Sequence, residues 1–288
     1  MTTDTFSQEA PWATGMKPGQ ALPLAFHFSP ADAPWSPGPF PGMEYRDSGM
    51  TLASRSKVSA RHIRIARNAG SIDDAWRCMD TDFHFFYVLQ GTAELENGAG
   101  QRHTLRPGLA AWQPGFLWHR LHSHSPDFEM LELMAPAAPM TVTGKDTPLP
   151  ANVPREGINR PGQYLFEEPG SYVVGEAPRT YLSYRSLGTT DVTGGRIMAN
   201  MVKALQPLPG GTGWHVHTMS QLFWVIRGSA GFQVEGRDDI TRVVAYDAVC
   251  VPDGLCHNVP SFTADYWLLE VCFPAEYETI GCTPSKAP

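Results

Sequence analysis

The stretch that decides the fold is GWHVHTMSQLFWVIRG, residues 213–228, which places two histidines one residue apart. Alternate side chains of a β-strand point to the same face, so His215 and His217 share a face if this stretch is extended. Gln221 follows His217 by four residues, an even step that keeps it on that face. Neutral imidazole is the commonest metal ligand in proteins. The spacing therefore predicts that the two histidines bind the same metal ion.

A third histidine follows a turn further along the chain. His257 comes after PDG, residues 252–254, a turn sequence that ends one strand and aims the next. An amide oxygen can also coordinate a metal. A lone histidine on an apolar strand is usually a hydrogen-bonded core residue, but a pair with two further ligands at these positions is much more specific. We predict that His215, His217, Gln221 and His257 bind one divalent transition metal.

Composition excludes several classes of partner. The chain has 288 residues, a formal net charge of −7 and no stripe rich in lysine and arginine, so we expect no nucleic-acid binding. No apolar run approaches the roughly 20 residues of a membrane span. The start, MTTDTFSQEAPWATG, lacks a basic region followed by an apolar core, and we expect a cytoplasmic protein. The cysteines are odd in number, and we expect four of them to be buried free thiols: Cys250, Cys256, Cys272 and Cys282.

The chain contains an internal duplication. FHFFYVLQGTAELENG, residues 83–98, resembles SQLFWVIRGSAGFQVEG, residues 220–236, and WQPGFLWHRL, residues 112–121, resembles CVPDGLCHNV, residues 250–259. The first match pairs His84 with Gln221, an offset of 137, and the second pairs His119 with His257, an offset of 138. Both halves consist of short apolar runs broken by turn residues, which is typical of all-β proteins.

Two proline-rich segments delimit the halves. We predict an N-terminal arm (1–44), an N-terminal barrel (45–140), a linker (141–162) and a C-terminal barrel (163–288). Prolines exclude a helix or central strand from residues 11–41, and the aromatic residues there are too many for a solvated tail. We expect this arm to lie extended over the body of the chain or over a neighbouring subunit, and we favour the barrel of a second subunit, which predicts a homodimer.

The histidine motifs resemble those of the cupin superfamily. His215, His217 and Gly228 match its first motif, with Gln221 where the family usually has glutamate, and His257 with its preceding proline and glycine matches the second. The resemblance implies an all-β chain of two tandem cupin (jelly-roll) β-barrels with a metal at the centre of the C-terminal one. Cupins include dioxygenases, decarboxylases, isomerases, lyases and binding proteins, so the motifs do not name the reaction.

The first half departs from the motif. Cys78 and Asp80 stand opposite the histidine pair, and His84 takes the glutamate position. We predict that this barrel has lost its metal and is structural. The alternative is a second site made by Cys78, Asp80, His84 and His119. His122 and His124 are expected at the surface or at an interface.

Glutamine in place of glutamate leaves the full charge of the ion for a substrate. The site should therefore favour an anionic, chelating substrate oxygen. We assign catalytic roles to Gln221 and to Arg196, which would hold a substrate carboxylate if it faced the cavity. By strand alternation and proximity, the expected substrate pocket contains Trp214, Phe223, Val225, Met198 and Trp267.

Three functions are compatible with these features. The first is a dioxygenase that binds O2 and a small anionic aromatic, enol or diketone, with Fe(II) as the favoured ion and Mn, Ni, Cu or Zn as alternatives. The second is a redox-neutral lyase, isomerase or hydrolase acting on a sugar acid or another carboxylate. The third is a non-catalytic bicupin that binds a small molecule.

Overall fold

The computed structural model describes residues 27–38, 41–67, 69, 74–113, 115–149, 165–167, 170–176, 179–208 and 210–284. The described residues are almost entirely β-strand, arranged in four antiparallel sheets. The prediction of an all-β chain is confirmed. Among the described residues, no helix is long and apolar enough to cross a membrane.

The first half contains the following elements, in chain order: β1 (His27–Ser29), β2 (Ser36–Pro37), β3 (Met43–Asp47), α1 (Met50–Ala53), β4 (Ser59–Ile65), β5 (Arg77–Met79), β6 (Phe83–Gln90), β7 (Ala93–Asn97), β8 (Arg102–Leu105), β9 (Ala110–Gln113), β10 (His119–His124), β11 (Glu129–Ala135) and β12 (Thr141–Thr143).

The second half contains β13 (Leu165–Glu167), β14 (Val173–Val174), β15 (Leu182–Ser186), α2 (Thr189–Val192), β16 (Met198–Ala204), β17 (His215–His217), β18 (Ser220–Arg227), β19 (Ser229–Val234), β20 (Thr241–Val244), β21 (Ala248–Val251), β22 (His257–Phe262), β23 (Trp267–Phe273) and β24 (Thr279–Gly281).

Each barrel consists of a seven-stranded and a five-stranded sheet. The strand orders of the N-terminal barrel are β13-β9-β6-β11-β4-β3-β2 and β12-β5-β10-β7-β8. Those of the C-terminal barrel are β1-β21-β18-β23-β16-β15-β14 and β20-β19-β22-β17-β24. Inside each barrel, apolar side chains from both sheets form a separate core.

The barrels exchange edge strands. β1, which precedes the N-terminal barrel, pairs with β21 of the C-terminal barrel, so that His27 lies opposite Cys250. Conversely, β13 completes the N-terminal barrel by pairing with β9. The sequence predicted that the C-terminal barrel begins at residue 163, which would have placed β13 in that barrel. β12, within the expected linker, pairs with β5. Each added strand covers an edge that would otherwise expose unpaired backbone groups. Residues 1–26, which belong to the expected arm, lie outside the described residues. So do residues 150–162 of the expected linker and the next two residues, 163–164.

A third core joins the two barrels face to face. Phe85 and Tyr87 of β6 and Leu222 and Trp224 of β18 belong to this inter-barrel cluster. Their neighbours in sequence, such as Phe86 and Val225, point into the barrel interiors. A strand buried on both faces needs a continuous apolar run rather than alternation. This is the reason that FFYVL, residues 85–89, and LFWVI, residues 222–226, contain only aliphatic and aromatic residues.

Gly91 and Gly228 show that the duplication extends to the backbone. They follow the equivalent strands β6 and β18 and have φ angles of 67° and 74°. A Cβ atom at either position would lie 2.7 Å or 2.8 Å from the main chain of the facing turn, at Phe128 and Tyr266 respectively. Both the left-handed conformation and this close approach require glycine.

Candidate metal centre

Strand pairing brings the three histidines together at the centre of the C-terminal barrel. β17 carries His215 and His217, and its pairing with β22 places His215 directly opposite His257. One ring nitrogen from each lies within 4.8 Å of the others. The ring centroids are 4.4 Å apart for His215 and His257, 4.8 Å for His215 and His217, and 5.3 Å for His217 and His257.

Hydrogen bonds orient the rings. The Nδ1 atom of His215 lies 2.7 Å from the carbonyl oxygen of Gly213, and that of His257 lies 2.9 Å from the carbonyl of Leu255. The Nδ1 atom of His217 lies 3.0 Å from the hydroxyl of Thr279. A carbonyl only accepts, so Nδ1 carries the proton in the first two rings, and Nε2 retains its lone pair. Partners of this kind fix the tautomer of histidines that bind metals.

Burial lowers the pKa of all three histidines, so it favours their neutral form. Burial, followed by the positive charge of the other two rings on protonation, lowers the pKa of His217 to about 3. Burial likewise lowers the pKa of His257 to about 4. The pKa of His215 is also lowered, mainly by burial. A metal ion therefore displaces no proton from these rings at neutral pH.

Gln221 joins the histidines to a buried carboxyl group. Its Nε2 atom donates to the Oε1 atom of Glu270 at 2.7 Å, while its own Oε1 atom is buried and has no hydrogen-bond partner in the described residues. Burial raises the pKa of Glu270, against the opposing effects of Arg179 and of bonds from Gln221 and Asn200. The free amide oxygen is available as a fourth ligand.

Arg179 is a cavity residue that the sequence analysis missed. It lines the cavity together with the three histidines, Gln221 and Glu270. It hydrogen-bonds with Tyr184 and Tyr277. Although burial opposes its charge, the neighbouring Tyr184, Glu270 and Tyr277 raise the pKa of Arg179, so it stays cationic. Its loop sequence gives no periodic signal. The sequence does contain a signal for Glu270: Glu132 precedes it by 138 residues, which is the offset of the duplication.

The cavity is small and has an apolar wall. Its volume is about 70 Å³. Apart from the histidines, Gln221, Glu270 and Arg179, its lining residues are Tyr181, Leu182, Tyr184, Val202, Thr212, Phe223, Phe232, Val259, Phe262, Tyr266 and Leu268.

The expected pocket residues are only partly brought together. Phe223 lines the cavity, and Val225 is buried in the interior core of the same barrel. Met198, opposite Cys272 in the sheet, does not line the cavity, and neither does Trp214, whose carbonyl accepts from the amide of Cys282. Trp267 faces the other way, against the inter-barrel core.

Arg196 does not occupy the cavity position expected for it. It precedes β16, its side chain is 60% exposed, and it lies 3.7 Å from Asp82 of the N-terminal barrel. A solvent-exposed guanidinium with a surface carboxylate needs no burial of charge, whereas a cavity position would require it. The arginine that faces the histidines is Arg179.

The N-terminal barrel has a different residue pair at the motif position. Arg77 lies opposite His119 as His215 lies opposite His257, and Met79 lies opposite Thr141 as His217 lies opposite Thr279. The structural counterparts of the histidine pair are therefore Arg77 and Met79, rather than the Cys78 and Asp80 that the sequence alignment gave.

The four residues of the alternative second site are divided between two environments. His84 and His119 line the cavity of the N-terminal barrel, whereas Asp80 is exposed, and neither it nor Cys78 lines that cavity. His84 donates to Glu132, which also binds Arg61 at 2.7 Å. Although burial opposes ionisation, Arg61 and His84 hold the pKa of Glu132 at about 2. The described residues contain one three-member histidine group suited to a metal, the one in the C-terminal barrel.

The expectation of four free thiols was wrong for two of them. Cys250 and Cys272 are free and buried, but Cys256 and Cys282 form a disulfide. The two are 26 residues apart in sequence, and only the pairing of β24 with β17 brings them together. The cysteine count therefore no longer supports a reducing compartment.

Comparison with solved structures identifies the fold. Oxalate decarboxylase from Bacillus subtilis matches with a TM-score of 0.56 and 16% identity, over 91% of this chain and 79% of that one. A Pseudomonas aeruginosa protein described as glyoxylate-induced matches with a TM-score of 0.56 and 14% identity, over 93% and 95%. A formate complex of oxalate decarboxylase from Lactobacillus farciminis gives 0.55 and 15%, over 89% and 88%. No family model and no curated protein sequence matches.

The chain has the fold of a bicupin, two tandem jelly-roll barrels of the cupin type, as the motifs implied. At this level of identity the likeness establishes the fold and not the reaction. The donor set itself fits a divalent ion, because three imidazoles converge in a cavity that Gln221 also lines, and the amide oxygen of Gln221 has no hydrogen-bond partner among the described residues.

Proposed function

We propose that this bicupin is a metal-dependent lyase that removes the carboxyl group of a small carboxylic acid as CO2. The observation that carries the proposal is the pair formed by Gln221 and Glu270. The amide of Gln221 lines the cavity of the three histidines, its oxygen has no partner among the described residues, and its nitrogen donates to a buried carboxyl with a raised pKa. A proton donor thus lies one side chain away from the proposed ion.

The proposed ligands are His215, His217, His257 and Gln221. A divalent ion bound there would supply Lewis-acid stabilisation of negative charge on substrate oxygen. Because all four ligands are neutral, the ion would keep its full charge for an anionic substrate. An amide oxygen beside imidazoles is compatible with Mn(II), which is the first ion to test. The sequence alone favours Fe(II).

Arg179 and Glu270 have complementary roles in the proposal. Arg179 is cationic and lines the cavity, so it can bind and orient a carboxylate. Loss of CO2 leaves an electron pair on the neighbouring carbon, and that carbon must gain a proton. Glu270 holds a proton more readily than an ordinary carboxyl and can supply it, so that R–COO⁻ and H⁺ become R–H and CO2.

The apolar wall favours the same reaction. Phe223, Phe232 and Phe262 line the cavity and limit water around the carboxylate that is lost. A carboxylate is stabilised by water more strongly than neutral CO2, so exclusion of water favours its departure. The wall therefore supports decarboxylation over hydrolysis.

Cavity size supports the proposed lyase over the dioxygenase that the sequence alone favours. A cavity volume of about 70 Å³ favours a small acid, such as one of two to four carbons, and an aromatic acid would need the wall to move. The names of the structural neighbours, two of which are oxalate decarboxylases, point in the same direction. One study of the Bacillus subtilis enzyme concerns its Mn(II) centres, which supports manganese as the test metal.

The test is turnover of carboxyl-labelled acids by the manganese-loaded protein. We expect labelled CO2 from one or more acids of two to four carbons, with oxalate tested first. Arg179→Met should lower kcat/KM by at least about 100-fold, and Glu270→Gln should lower kcat by about 10²–10⁴-fold. Arg196→Met, a matched loss of an arginine outside the cavity, should leave both unchanged. Oxygen uptake equal to acid consumption would instead support the dioxygenase, and absence of turnover with saturable acid binding would support the binding protein.

A further inference from the structure

The last described strand of the chain forms a strap over the metal ligands. We use this name for residues 274–282, which include β24 and end at Cys282. β24 pairs with β17, the strand that carries His215 and His217. The amide of Thr218 donates to the carbonyl of Glu278 at 3.2 Å, and the amide of Cys282 donates to the carbonyl of Trp214 at 3.1 Å. The strap is therefore bonded on both sides of the histidine pair.

Two strap side chains contact His217. The hydroxyl of Thr279 lies 3.0 Å from its Nδ1 atom. The ring of Tyr277 meets the imidazole edge to face, with centroids 5.5 Å apart, and also hydrogen-bonds with Arg179. Unlike His215 and His257, whose Nδ1 atoms bind carbonyls two residues away, His217 has an Nδ1 partner 62 residues along the chain. The orientation of His217 therefore depends on the strap staying in place.

The other hydrogen bonds of the strap among the described residues are few. The amide of Ala275 donates to the carbonyl of Gly195 at 3.0 Å, and the amide of Glu278 donates to the hydroxyl of Thr218 at 2.9 Å. Glu278, Thr279, Ile280 and Gly281 are exposed, and β24 is an edge strand with three paired residues. Short exposed edge segments with little apolar burial open easily. The covalent attachment of the strap is the disulfide between Cys282 and Cys256, and Cys256 immediately precedes the ligand His257. The bond thus ties the strap to the strand that carries the third histidine.

We infer that Thr279 is a positioning residue for His217 and that the Cys256–Cys282 disulfide holds it there, so that reduction of the disulfide weakens metal binding. The inference rests on the metal site of the proposed function. A water-soluble phosphine provides the reduction: the S–S bond breaks, each sulfur gains a proton, and the phosphine takes the oxygen of one water molecule to become a phosphine oxide. The two electrons pass from phosphorus to the two sulfurs.

The experiment measures Co(II) binding to the metal-free full-length protein, using the visible spectrum of the bound ion. Loss of an outer partner of a metal-bound histidine typically costs about 10–100-fold in affinity. We expect a loss of this size in phosphine-reduced protein and, without any reductant, in Cys282→Ser. Cys250→Ser, which removes a cysteine outside the disulfide, should bind Co(II) like the unmodified protein and respond to phosphine in the same way. Phosphine should have no further effect on Cys282→Ser.

A second pair of variants separates positioning from general support of the strap. Thr279→Val removes the hydroxyl at nearly constant volume and should weaken Co(II) binding about 10-fold and alter the spectrum, whereas Thr279→Ser should restore both. Hydrogen exchange of the strap amides in metal-free protein should accelerate on reduction and in Cys282→Ser, but not in Thr279→Val.

The inference would be overturned if oxidised and reduced protein bound Co(II) with equal affinity. It would also be overturned if Thr279→Val bound Co(II) as tightly as the unmodified protein. Failure of the oxidised protein to bind Co(II) would overturn both this inference and the proposed function. A redox-dependent affinity in a protein that decarboxylates no acid would overturn the proposed function alone.

Discussion

Replacement of Gln221 by glutamate tests the amide that joins the metal position to Glu270. In Gln221→Glu, the donor bond of 2.7 Å becomes a contact between two carboxyl groups, both nearly inaccessible to solvent in the structure. Two full negative charges at that distance would repel by about 6 kcal/mol at an effective dielectric constant near 20. The folded protein can avoid the repulsion only by keeping one proton shared between them.

This proton makes the stability of the metal-free variant depend on pH. The unfolded chain releases both protons above its ordinary carboxyl pKa, whereas the folded pair retains one. A raised pKa in the folded state contributes stability at low pH and loses it as pH rises. The variant should therefore weaken relative to the unmodified protein above the raised pKa of Glu270, where only the variant still retains a proton. We expect the difference in free energy of unfolding to grow with pH by several kcal/mol, up to a limit of about 6 kcal/mol.

Urea denaturation of metal-free protein at pH 5, 7 and 9, followed by tryptophan fluorescence, measures this difference. The double variant Gln221→Glu, Glu270→Gln is the matched control, because it restores an amide–carboxylate pair with the roles exchanged. It should recover most of the stability at pH 9. Mn(II) should do the same for the single variant, since the ion takes the place of the shared proton. A stability difference that stays constant from pH 5 to pH 9, or a double variant no better than the single one, would refute the reasoning.

Three further outcomes are expected. His217→Ala should lower bound Mn(II), measured by elemental analysis after gel filtration, to below about a tenth of the unmodified level, whereas His124→Ala outside the cluster should not. Metal-free protein should lose stability as pH falls from about 6.5 towards 3. The reason is that His217 and His257 have lowered pKa values of about 3 and about 4 in the folded protein, so in this range they bind protons only after unfolding. Thermal melts across this range should show a smaller loss of stability in His257→Leu. Leu222→Ala removes a fully buried side chain from the inter-barrel core and should lower the free energy of unfolding, measured by urea denaturation, by about 2–5 kcal/mol. A decrease of less than about 1 kcal/mol would show that the barrels do not depend on this core.

The sequence by itself determined the duplication, the β-class and the three histidines. These features repeat over short distances: alternate residues of a strand share a face, and a glycine turn follows each apolar run. His215 and His217 could therefore be placed on one face from spacing alone, and His257 joined them through a motif whose spacing is specific to the cupin resemblance.

Tertiary structure decided which residues complete the site. Arg179 reaches the cavity from a loop, Gln221 meets Glu270 49 residues along the chain, and Cys282 meets Cys256 across paired strands. Such contacts depend on strand register. A shift of one residue turns every side chain to the opposite face, which is why sequence alignment assigned Cys78 and Asp80 where the structure places Arg77 and Met79. Alignment compares residue types, whereas register is fixed by backbone pairing between segments far apart in the chain.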